Sequence, residues 1–132
     1  MIEPIITNEM ARIGELNFHY LQAGGGAETI VLLHGSPQHS RMWEKVIPEL
    51  SENFTVIAPD GRGMGGSSIT EDGYDKRTMA EDLKSLLDQI GVSEPLNLVG
   101  YDLGGGTASA SASLIPERVK RLALIEYARS RH

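Results

Sequence analysis

The chain has 132 residues, with 12 Lys and Arg against 18 Asp and Glu for a net charge of −6, which allows one hydrophobic core and argues against a nucleic-acid backbone as partner. It has no cysteine, so disulfides and thiolate metal sites are excluded, and a reducing compartment, the cytoplasm by default, is the expected location. No window approaches the roughly 18 apolar residues needed to cross a bilayer, and Met1 to Pro4 do not open a secretion signal, so no membrane partner is expected.

In chain order, Arg12 to Gln22 carries alternating Ile13, Leu16, Phe18 and Tyr20 and is predicted as an antiparallel strand after an initial one, with Gly24 to Gly26 as the turn. Thr29 to Leu33 is a run of β-branched and apolar residues without alternation, the pattern of a strand buried on both faces. Residues 41 to 51 space Met42, Trp43, Val46, Ile47 and Leu50 near the 3.6-residue helical repeat; they predict a helix that Pro48 kinks or shortens. Phe54 to Ala58 repeats the buried-strand pattern. From Lys76 to Ile90 a helical face gathers Met79, Leu83, Leu86, Leu87 and Ile90, with Gly91 at the C-cap position. Leu96 to Val99 reads as a strand, and about Gly104 to Ile115 as a helix whose interior, Thr107 to Ser113, is Ala, Ser and Thr only. A flexible linker is the competing reading of that composition. Arg121 to Ile125 is the last strand. Buried strands alternating with helices predict an α/β architecture, a mostly parallel sheet flanked by helices.

Three segments carry chemistry. Gly100-Tyr101-Asp102-Leu103-Gly104 fits G-x-nucleophile-x-G between a strand and a helix, the nucleophile elbow with aspartate in the reactive position. A turn that tight needs glycine at both flanks, Gly100 and Gly104. A carboxylate, whose reference pKa is about 4, is ionised at neutral pH and attacks without a base, leaving an ester for water to cleave. The plainer reading of Asp102 is a helix cap. His34-Gly35-Ser36-Pro37 ends an apolar strand where an oxyanion loop belongs; Ser36 and Leu103 would supply backbone N–H donors to an oxyanion, with His34, Gly35 and Pro37 shaping the loop. Its plainer reading is a turn with a buried histidine. Gly61, Gly63 and Gly66 match the dinucleotide fingerprint, but turn-like Ser67 to Tyr74 follows instead of a helix, so loop structure is the preferred reading.

Taken together, His34 to Gln38 with Trp43, Ala58 to Gly65, Gly73 to Asp82, Val99 to Gly105 and Pro116 to Lys120 resemble the α/β-hydrolases related to epoxide hydrolases and haloalkane dehalogenases. The resemblance implies that Asp102 opens an epoxide or displaces a halide without a cofactor or metal, giving an ester that a histidine-activated water cleaves. Tyr101 stands where epoxide hydrolases usually have histidine, and Gly61 where leucine is usual. Ser36 and Leu103 replace the Asn and Trp common in haloalkane dehalogenases, and no arginine follows Asp102 as in fluoroacetate-type enzymes, so an epoxide or ester is the expected small-molecule substrate. Glu126, after the sixth strand, resembles the catalytic acid that some dehalogenases carry there; a solvated strand-end carboxylate is its plainer reading. Against this family, residues 1–132 form a partial core domain that stops after the sixth strand, without the cap domain or the C-terminal strands. His19, His39 and His132 do not replace the missing base, so an ester is expected to form and stall. The strand at Arg121 to Tyr127 would be an unpaired apolar edge, which predicts a homo-oligomer or a complementary fragment as partner. A non-catalytic interaction module, a haloalkane dehalogenase or an esterase are the alternative functions.

Overall fold

A computed structural model describes residues 5–127. Its elements are β1 (Thr7–Ile13), β2 (Leu16–Ala23), β3 (Glu28–Leu33), a 3-10 turn Ser40–Trp43, α1 (Ile47–Leu50), β4 (Phe54–Pro59), α2 (Lys76–Ile90), β5 (Leu96–Tyr101), α3 (Leu103–Leu114), a 3-10 turn Pro116–Arg118 and β6 (Val119–Ile125). The six strands form one sheet in the order β1-β2-β4-β3-β5-β6. β1 and β2 are antiparallel, as are β2 and β4, while β4, β3, β5 and β6 run parallel.

Two cores, one on each face of the sheet, explain the runs without alternation. In β3, Val31 and Leu33 join Leu83, Leu86 and Leu87 of α2 on one face. Ile30 and Leu32 join Trp43 and Ile47 on the other. β4 divides likewise, Ile57 facing α2 and Val56 and Ala58 facing α1. Successive strand side chains point to opposite faces, so a strand covered on both sides has no polar position to alternate with.

α2 matches its expected span and ends at Gly91, whose φ of 82° is a left-handed cap; the Asp75 side chain caps its start by accepting from Thr78 N. α3 is a helix over the Ala/Ser run, not a linker, and Gly104 to Ala108 and Ser111 are buried. Its small side chains bring it close enough to β5 that a Cβ on Gly100 would collide with the Gly104 carbonyl.

Two expectations are corrected. The segment 41–51 is not one helix. Pro48 has no N–H to donate and belongs in a first helical turn, and it stands in the first turn of α1, so a 3-10 turn precedes and a short helix starts afresh. The segment 12–22 is not one strand either: Arg12 and Ile13 end β1, and the chain reverses at Gly14, with φ 61°, and Glu15 before β2. Gly24 to Gly26 do not close a hairpin, because β2 pairs with β1 and β4 rather than with β3.

β6 pairs with β5 on one side and is the edge of the described sheet. Leu122, Leu124 and Ile125 are exposed at 40–44%, unlike any apolar residue of β3 or β5.

Candidate active site

The parallel strands β3, β4 and β5 end side by side, and the loops that leave them build the site. Asp102 is the residue between β5 and α3, with φ 53° and ψ −118°, and its side chain makes no capping hydrogen bond to α3. A non-glycine residue in this region costs about 1–3 kcal/mol, and the helix-cap reading offers nothing in return. The surroundings hold it there: Asp102 N donates to Ile125 O at 3.0 Å, and Gly105 N donates to Asp102 O at 2.9 Å. Gly104 lies against the carbonyls of Leu33 and His34. The elbow is thereby pressed onto the start of the His34–Pro37 loop. Leu103 opens α3, so its N–H has no partner within the helix, and its side chain is exposed.

His34 is buried, with both ring nitrogens engaged. Nδ1 donates to Gly35 O at 2.7 Å and Nε2 accepts from Gly61 N at 2.9 Å, which fixes the neutral ring with its proton on Nδ1. Burial pushes the imidazole pKa down, only partly offset by the Gly35 hydrogen bond. His34 ties the loop after β3 to the loop after β4 and is not free to act as a base. Gly35 is crowded by Asp102 Cβ, Gln38 Oε1 and Tyr101, which puts Gln38, Tyr101 and Asp102 around one point.

Glu126, with φ 50°, turns the chain at the end of β6 beside the elbow. Tyr101 Oη donates to Glu126 Oε2 at 3.2 Å. That bond, then the charges of Glu126 and Asp102 with a smaller contribution from burial between them, raises the phenol pKa. The structure therefore brings Asp102, Leu103, His34, Gly35 and Glu126 into one neighbourhood. Among the described residues Glu126 has a tyrosine partner and no imidazole one. Ser36, His34, Gly35, Leu103 and Gly104 also line a cavity of about 520 Å³ between α2, α3 and the sheet, from which Asp102 itself is absent.

Two of the other histidines lie among the described residues. His19 faces Asp60 Oδ2 at 2.6 Å through Nδ1 and Asn8 Oδ1 at 3.0 Å through Nε2. His39 is exposed and caps the Ser40–Trp43 turn. His132 lies outside the described residues. No group of three or more His, Asp or Glu among the described residues is placed to hold a metal.

One residue was not singled out from the sequence. Asp60 is 2% exposed, and its carboxylate accepts from Ser40 N at 2.6 Å, Gly66 N at 2.9 Å and His19 Nδ1. Burial alone raises its pKa, yet the Gly66 and Ser40 N–H groups and His19 outweigh it and hold the carboxyl below its ordinary range. Of the suspected fingerprint glycines only Gly66 touches this carboxylate, through its N–H, while a Cβ on the neighbouring Gly65, at φ 52°, would overlap it; Gly61 and Gly63 face Met79 and Tyr74, and the next helix begins only at Lys76. The loop is a carboxylate cradle, not a phosphate one.

The family model described as alpha/beta hydrolase fold matches residues 28–129, most of the chain. The chain belongs to the α/β-hydrolase family. Among relatives of this α/β-hydrolase, a soluble epoxide hydrolase of Corynebacterium sp. (strain C12) is 43% identical over 121 residues, which cover 92% of this chain and 42% of that protein. A fluoroacetate dehalogenase of Burkholderia sp. is 39% identical over 108 residues, 78% of this chain and 35% of that protein. The crystal structure of epoxide hydrolase A from Mycobacterium thermoresistibile superposes with a TM-score of 0.84 at 33% identity, covering 91% of this chain and 39% of that one. The expected resemblance and the mostly parallel α/β fold hold. The chain spans less than half the length of these curated relatives. No helix among the described residues is long and apolar enough to cross a membrane.

Proposed function

We propose that this chain carries the nucleophile half of an epoxide-hydrolase-like active site, with residues 1–132 as a partial core domain. A carboxylate oxygen of Asp102 attacks a ring carbon of an epoxide. The carbon–oxygen bond breaks, its electron pair stays on the ring oxygen, which takes a proton from water, and an alkyl ester of Asp102 remains. Water then adds to the ester carbonyl, and the N–H groups of Ser36 and Leu103 receive the oxyanion. The observation that carries this reading is Asp102 itself, strained at φ 53°, capping nothing, and packed against the His34–Pro37 loop. Glu126 is the candidate acid. The leucine side chain at 103 offers a halide no donor, which supports an epoxide or activated ester over a haloalkane.

The second step needs a base. Because His19 and His34 are engaged and the exposed His39 caps the Ser40–Trp43 turn, the described residues set no imidazole on Asp102, and the ester of residues 1–132 is expected to accumulate. Incubation with a terminal epoxide or an activated ester, followed by intact-mass measurement, should give one adduct that maps to Asp102 and disappears in Asp102→Asn. An unlabelled wild type, or a labelled Asp102→Asn, would sink the reading.

The uncovered β6 favours a second element of the proposal, association through that strand with another copy or a complementary fragment. Sedimentation at high concentration should show dimers or larger species that Leu124→Lys returns to monomer. A wild type that stays monomeric throughout contradicts it.

A further inference from the structure

The cavity beside the elbow is walled by Phe18 of β2, Leu33 of β3 and Met79, Leu83 and Leu86 of α2, with Ser36 and Leu103 among the residues around it. Its 520 Å³ or so falls within the usual range for small-molecule sites, about 300–1,000 Å³. Of the charged residues that border it, Arg62 and Asp60 are held in ion pairs and hydrogen bonds, while Asp75 and Lys76 stand exposed at the rim. Arg62 forms a two-pronged pair with Asp82, at 3.0 and 2.8 Å. Asp60 is held by Ser40, Gly66 and His19. Asp75 caps α2 through Thr78 N, and Lys76 Nζ donates to Tyr127 Oη at 3.0 Å. A charged ligand on the inner wall would compete with the Arg62–Asp82 pair or the Asp60 network, and Lys76 keeps donors to spare only at the exposed rim; an uncharged apolar chain disturbs none of them. An apolar chain in such a space meets apolar walls and displaces weakly held water at most.

We propose that this cavity is a binding site for an uncharged aliphatic chain whose polar head rests at Ser36 and Leu103. On the hydrolase reading given above, that chain is the tail of the epoxide or ester that Asp102 attacks. The substrate class then narrows to compounds that carry an aliphatic tail beside the reacting group.

The chain's own methionines report on it. Met64 and Met79 line the cavity, whereas Met42 packs on the opposite face of the sheet and Met10 is exposed on β1. With methyl-labelled methionine, 1-alkanols from butanol to octanol should shift the Met64 and Met79 NMR signals saturably and leave Met10 and Met42 in place. Affinity should rise about three- to fourfold per added methylene. Met79→Trp, which fills the space, should weaken octanol about tenfold or more, and Asp102→Asn should bind it unchanged. Absence of saturable shifts, indifference to chain length, or equal movement of Met10 and Met42 would overturn the assignment. The two readings fail separately: alkanol binding without an Asp102 adduct removes the hydrolase reading and leaves the cavity assigned. An adduct whose rate of formation is indifferent to epoxide chain length keeps the nucleophile and removes the tail site.

Discussion

Gly104→Val is expected to unfold the chain or to lower its urea midpoint by the equivalent of about 3 kcal/mol or more, the upper end of the overpacking range. The atoms a Cβ would strike are the carbonyls of Leu33 and His34. These are backbone at the end of a central strand, so no side chain can swing away. Relief requires α3 to lift from β5, which separates the elbow from the oxyanion loop and uncovers the apolar contacts beneath. A total stability of about 5–15 kcal/mol leaves little margin for that. Gly25→Ala is the matched control, because a Cβ there meets nothing within 4 Å; its midpoint should stay at the wild-type value. Equal midpoints for Gly104→Val and wild type would show that α3 is not pressed on the loop as described.

The second large effect is expected at Asp60. Removing one partner of a buried, charge-assisted network costs about 3–5 kcal/mol, because the other groups stay buried without their acceptor. In Asp60→Ala the N–H groups of Ser40 and Gly66 and the His19 ring all lose it. Asp60→Asn should lie between, since an amide oxygen replaces part of the acceptor but not the charge. The pH dependence has a defined sign. A carboxyl held below its ordinary value of 3.8 stabilises the fold fully above that value, and the contribution is lost as the pH falls below it. Urea unfolding at pH 7 and pH 3 should therefore show a smaller acid loss in Asp60→Ala than in wild type. Identical acid losses would mean that the carboxylate contributes nothing across that range.

Much of the fold was legible because the signals were local. Ile30 to Leu33 has no polar residue because both faces are covered, and a run of that kind identifies itself. Gly100 and Gly104 were legible as an elbow because both are within two residues of Asp102. What misled was local continuity across a break. The alternation from Ile13 to Tyr20 runs through a hairpin, since two antiparallel strands keep the same face inward, and only Gly14 marks the reversal. The helical spacing from Met42 to Leu50 is real as burial, with Trp43 and Ile47 both in the core, but it is supplied by a 3-10 turn and a separate short helix. Asp60 was not legible at all as a hub. Its partners are residues 19, 40 and 66, which only the tertiary fold assembles. Glu126 was legible as a strand-end carboxylate, whereas its partner Tyr101 lies 25 residues away on the neighbouring strand.

The strand order also has a meaning in time. From β3 outward the sheet grows at one edge in the order in which the chain is made, β5 beside β3 and then β6 beside β5. During synthesis each of these strands emerges after its template is already in place, so neither waits for a later segment before it can pair. The elbow follows the same schedule. Asp102 N finds its acceptor only in Ile125, so this one hydrogen bond of the reactive turn can form only after β6 has been made, whereas the carbonyls of Leu33 and His34 against which Gly104 packs come from a strand made earlier.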